Sequence, residues 1–183
     1  MASRPLLARA RQRLARSAGR FARADKGATA VEFALVAVPF MMLLFAIIEL
    51  GLVFLVSITL ENAVIDAGRT IRTGQVQAAG TNASAFKTTV CNRMSWLGAK
   101  CSTALQIDVR TFNNYTTGTT SATSNTLPTT MSWNPGGAGA IVLVRAYYTW
   151  PLITPLLNTG LQSSNGKRII YAATSFTNEP YEQ

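Results

Sequence analysis

The side chains able to do chemistry in this sequence are few, and two carboxylates stand out by their position. Glu32 opens, and Glu49 interrupts, an apolar run that continues to Leu60. A carboxylate costs ~2.5 kcal/mol or more deep in hydrocarbon and less near the interface, so a partner is expected for Glu32. A cut after Gly27 would expose a new α-ammonium on Ala28. Glu32 lies at i+4 from Ala28, one helical turn on, and could pair with that amine in its own chain or in a neighbour. Glu49 follows Glu32 by 17 residues, a rotation near ~260° on a helix, so the two acids face different directions and fit paired-acid catalysis poorly. Glu49 is expected near the outer interface or in a helix–helix contact.

The remaining inventory argues against an enzyme, a metal site or a cofactor. Histidine, the commonest general base and metal ligand, is absent. The other acids, Glu61, Asp66, Asp108, Glu179 and Glu182 beyond the apolar run and Asp25 before it, show no motif spacing. Cys91 and Cys101 have nine residues between them, unlike the two to four of a zinc pair. Gly136-Gly137-Ala138-Gly139 has no following helix or lysine, so it does not read as a phosphate loop. The cysteines are expected to form a disulfide if the head is exported; the alternative is two free or merely buried thiols.

The element that must position Glu32 and Glu49 is a long helix. Phe33 to Ile48 alone would cover about 24 Å, and residues 50–60 extend it past a ~30 Å hydrocarbon core. Pro39 lacks the N–H that would bond the Leu35 carbonyl, so a kink or loosening is expected there. Asn62 to Thr73 keeps helical spacing, with Ala63, Val64, Ala67 and Ile71 on one side and a stop at Gly74. As one helix, residues 28–73 would be about 69 Å long.

Charge is concentrated before that helix. Of 17 Lys and Arg, eight lie in residues 1–27 (Arg4, Arg9, Arg11, Arg13, Arg16, Arg20, Arg23 and Lys26), against Asp25 alone. The formal net charge of +9 therefore belongs mostly to this tail, and the remainder shows no pattern suited to a nucleic-acid partner. Positive charge flanking a first span is retained in the cytoplasm, which places residues 61–183 outside the inner membrane. A cleaved signal peptide fits poorly, because the apolar run is longer than 7–15 residues and no A-x-A site follows.

The head reads as α+β. Phe86, Val90, Met94 and Leu97 form one apolar face of a second helix, about residues 83–97, with Asn82 or Ser84 as cap. Leu105, Ile107, Val109 and Thr111 alternate with Gln106, Asp108 and Arg110, which predicts a half-buried strand. Residues 141–150 are apolar on both sides and suit a central strand covered by a helix; residues 169–176 give a third strand. Residues 113–140, dense in Thr, Ser, Asn and Gly, read as a long surface loop.

Gly27-Ala28-Thr29-Ala30-Val31-Glu32-Phe33 resembles the processing site of type IV prepilins in the form used by the tight-adherence (Tad, or Flp) pilus. The longer string GATAVEFALVAVPF…IIELG…LENAVIDAGR, residues 27–69, resembles the TadE-like pseudopilins, and Asn178-Glu179-Pro180-Tyr181 is loosely similar to that family's closing string. The resemblance implies a minor pilin or pseudopilin with a basic cytoplasmic leader (1–27), a transmembrane helix (28–60) and an extracytoplasmic head (61–183). It implies cleavage between Gly27 and Ala28 by a prepilin peptidase, with Glu32 and Phe33 completing the processing motif. It also implies packing through Glu32, Pro39, Glu49 and Gly51 against other Tad pilins at an inner-membrane assembly platform, in contact with lipid, in an initiation or tip complex. Two other readings compete: an uncleaved signal-anchored envelope scaffold or binding protein unrelated to pili, and a mitochondrial inner-membrane subunit whose arginine tail is a presequence. A major pilin is disfavoured by the roughly 120-residue head.

Overall fold

The computed structural model describes residues 25–122, 127–154, 160–163 and 166–181. Most of the basic leader, residues 1–24, lies outside the described residues, as do Pro155, Leu156 and Glu182. The chain forms two compact units, one ending at Ile47 and the other running from Ile48.

Helix α1 spans Asp25–Arg72 with Pro39 inside it. Among the described residues it is the one helix long and apolar enough to cross a membrane, over Gly27–Arg72. It ends where Gly74 adopts φ +77°, a left-handed conformation open to glycine, and Gly74 N–H donates to the Ile71 carbonyl at 3.0 Å. Short α2 (Gln75–Ala78) follows, then α3 (Ala83–Arg93), a 3-10 turn at Ser95–Leu97 and α4 (Lys100–Ala104). Asn82 caps α3, its Oδ1 accepting from Ala85 N at 2.9 Å.

Three strands make an antiparallel sheet in the order β1 (Leu105–Phe112), β2 (Ile141–Pro151), β3 (Lys167–Thr177). The expected α+β class and three-stranded sheet are therefore present, with the doubly apolar strand in the middle. The registers Ile107↔Ala146↔Ala172 and Val109↔Val144↔Thr174 put one set of side chains on the face toward α1. Val56, Leu60, Ala63, Val64, Ala67 and Ile71 of α1 share a buried core with them and with Phe86, Val90 and Met94 of α3. Burying a side chain such as Leu60 or Phe86 contributes roughly 1.5–3 kcal/mol, so this face of α1 is a principal stabiliser of the head. Gly68 lets α1 approach β3 closely: a Cβ there would meet the Phe176 ring at 3.0 Å and the Thr174 methyl at 3.2 Å.

Two expectations are corrected. Residues 113–140 are not one surface loop, because Tyr115–Ala122 forms helix α5. Asn114 starts it, its Oδ1 accepting from Thr117 N at 2.9 Å, and Tyr115 hydroxyl bonds the Thr177 hydroxyl. The following segment lies along the outer edge of β1, where Val109 N donates to Ser132 O at 2.8 Å and Asn134 N to Val109 O at 2.9 Å. That pairing covers an edge which would otherwise be open to other strands, and Trp133 packs on Phe86 with ring centroids 5.2 Å apart. The second correction concerns Asp108, expected on a solvated face and in fact fully buried.

Candidate anchoring and assembly site

Gly27, Ala28, Glu32 and Phe33 occupy the first turns of α1, and Ala28, Glu32 and Phe33 are exposed. Among the described residues Glu32 has no hydrogen bond or ion pair, and Phe33 presents its ring outward. The helix thus offers an acid one turn beyond the Gly27–Ala28 bond with nothing among the described residues to satisfy it. Pro39 sits within the same exposed apolar stretch.

Glu49 behaves differently. It is only 4% exposed, and its two carboxylate oxygens accept from Ile153 N and Thr154 N, each at 2.6 Å. The Thr154 side chain hydrogen-bonds it too, and the Trp150 indole N–H points into the same niche just outside bonding geometry. The expected partner was another helix or the interface; the observed one is a segment of the same head 104 residues later, at the end of β2. Among the described residues Gly51 meets no other group within 4 Å of the position of a Cβ.

The head carries two locks around this helix. Cys91 and Cys101 are joined in a disulfide that ties α3 to α4. At the far end of α1, the closing string engages the helix terminus: Glu179 N donates to the Arg72 carbonyl at 2.9 Å, and the Glu179 carboxylate pairs with Arg72 Nε at 3.2 Å. Tyr181 covers Gly74, whose missing Cβ would lie 2.6 Å from the ring. Asn178 is buried and donates to the carbonyls of Pro135 and Gly137, 2.9 Å each. No role for these residues was evident from the sequence beyond their loose family likeness.

On the sheet face away from α1, Asp108 gathers two arginines. Arg145 donates from Nη2 at 2.6 Å and Nε at 3.0 Å, Arg110 Nε sits at 3.1 Å, and Ser132 N at 2.8 Å. Beside them burial raises the Tyr147 phenol, and burial together with the Tyr147 neighbour pushes Tyr171 up to about 12. The Asp108 carboxylate is thus matched by both arginines and by the Ser132 amide, whereas the buried Tyr147 hydroxyl has no hydrogen-bond partner among the described residues.

The described residues define an α+β class of architecture, a head with a three-stranded antiparallel sheet built on the C-terminal half of a long apolar helix. Within that class, residues 27–69 match the family model described as TadE-like protein. Such a match implies a pseudopilin role associated with the Tad pilus. No curated protein and no solved structure matches the chain.

Proposed function

We propose that this protein is a minor pilin or pseudopilin of a Tad/Flp-type pilus and secretion system. A prepilin peptidase removes residues 1–27, and Ala28 becomes the new N-terminus of α1. The helix anchors the protein in the bacterial inner membrane with the leader cytoplasmic, as its positive charge directs, and the head on the opposite side. Glu32 then pairs with the α-amine of Ala28, its own or a neighbour's, and sets the register in which pilin helices pack at the assembly platform. The role is assembly, in an initiation or tip complex, and not catalysis.

The observation that carries this reading is the coincidence of the family match, which starts at Gly27, with an exposed acid one turn further along the same helix that has no partner among the described residues. The decisive experiment is the intact mass and N-terminal residue of the protein from native membranes. A chain starting at Ala28 is expected. A chain starting at Met1 or Ala2 would leave the Gly27–Glu32 motif without a role and favour a simple signal anchor.

A further inference from the structure

We propose that the Pro151–Thr154 turn is a second membrane contact, a lipid-seated tip held at the outer interface by Glu49. The inference rests on α1 spanning the bilayer. Ile153 is 78% exposed although its own N–H is locked to the buried Glu49 carboxylate at 2.6 Å. On α1, Ile48 and Leu52, which flank Glu49 on the helix surface, also present apolar side chains outward. The turn therefore extends an apolar surface that belongs to the membrane helix.

The backbone N–H groups of this segment are all satisfied by protein. Irregular backbone survives at membrane depth only where protein satisfies its polar groups, because hydrocarbon offers no partner. Pro151 has no N–H; Leu152 N donates to Gly166 O at 3.0 Å; Ile153 N and Thr154 N donate to Glu49. Pro155, next in sequence, again has no N–H. All three backbone donors within residues 151–154 are paired, while the most exposed side chain among them is an isoleucine. A turn facing water needs no such provision, since water would satisfy those donors. Trp150, at the start of the turn, is a residue type favoured at the membrane–water boundary. Glu49 accordingly neutralises two N–H dipoles that would otherwise bar the turn from lipid, and those N–H groups in turn make a carboxylate tolerable on an apolar helix.

The test uses the full chain reconstituted at low protein-to-lipid ratio in phosphatidylethanolamine–phosphatidylglycerol vesicles. Ile153→Cys and, as a control, Thr88→Cys on the exposed side of α3 are labelled without reductant with an environment-sensitive NBD dye. The probe at 153 should emit to the blue of the control and be quenched several times more by lipids carrying a nitroxide near the headgroup. Adding Glu49→Ala should return it to the control's emission. A 153 probe as water-exposed as the control overturns the proposal, and so does a blue-shifted probe that lipid nitroxides fail to quench, which assigns the cover to protein. Lipid quenching that persists with Glu49→Ala overturns the clasp. Carbonate extraction of the same vesicles tests the span separately, so an integral protein with a water-exposed 153 probe refutes the tip alone.

Discussion

Asp108 and Arg145 are direct partners across the β1–β2 ladder, and their side chains meet at 2.6 Å with the aspartate wholly buried. Removing one member of a buried ion pair costs ~3–5 kcal/mol, because the other is left charged and unmatched, whereas an apolar replacement of both is near neutral. Asp108→Ala is therefore expected to lower the stability of the detergent-solubilised protein by about 3 kcal/mol or more in denaturant titration. Asp108→Leu with Arg145→Met should lose less than Asp108→Ala alone. Equal losses would mean that the pair acts through packing only.

Gly74 carries φ +77° directly under the Tyr181 ring. Gly74→Ala adds both a backbone penalty, of order 1 kcal/mol, and a steric one. Combining it with Tyr181→Ala should relieve only the steric part, so the double variant should fall short of the sum of the two singles. A strictly additive cycle would show that the ring yields freely.

The disulfide closes a loop of nine intervening residues. Chain entropy gives it slightly under ~3 kcal/mol, and paired Cys91→Ser and Cys101→Ser substitutions should lower the melting temperature by several degrees. Thiol labelling of the unreduced, unfolded protein should find neither cysteine reactive; full labelling would remove the bond from the native protein.

Alkaline pH should destabilise the head. Tyr171 ionises near 12 when folded against 10 for an ordinary phenol, so between those values the unfolded chain has released a proton that the folded one retains. Stability is then full below pH ~10 and declines as pH rises through the folded value. Tyr171→Phe should flatten the fall between pH 10 and 12 in stability curves.

Glu32→Ala should leave membrane insertion intact, since removing a charge favours the apolar phase, yet weaken co-purification of partner pilins. Undiminished recovery of partners would count against the pairing of Glu32 with an α-amine.

Periodicity carried most of the architecture. The α1 stripe Ala63, Val64, Ala67 and Ile71, the α3 stripe Phe86, Val90 and Met94, and all three strands follow from spacing of apolar residues. Asp108 was misplaced because alternation in β1 alone assigns it to water. The corrective signal lay in β2: a strand apolar on both faces implies that both faces are covered, and so is the neighbour of Arg145. Helix α5 hid behind a Thr- and Ser-rich composition, although Asn114, three residues before Thr117, is a capping signal. The tie from Glu49 to Ile153 was out of reach, since no local pattern links residues 104 apart.

The seal on α1 by Glu179 and Tyr181 bears on the order in which the head comes together. Arg72 and Glu179 are separated by more than a hundred positions, so the helix gains its terminal partner only when residues 178–181 are in place. β3, which ends at Thr177 and packs on α1 at Gly68, delivers these residues to the helix end, so their contacts depend on the sheet having docked first. The spine is thus finished from the opposite end of the chain. A head without residues 178–181 would keep every strand and lose both the Arg72–Glu179 tie and the ring that covers Gly74, so the end of the spine is held by residues that belong to no strand or helix.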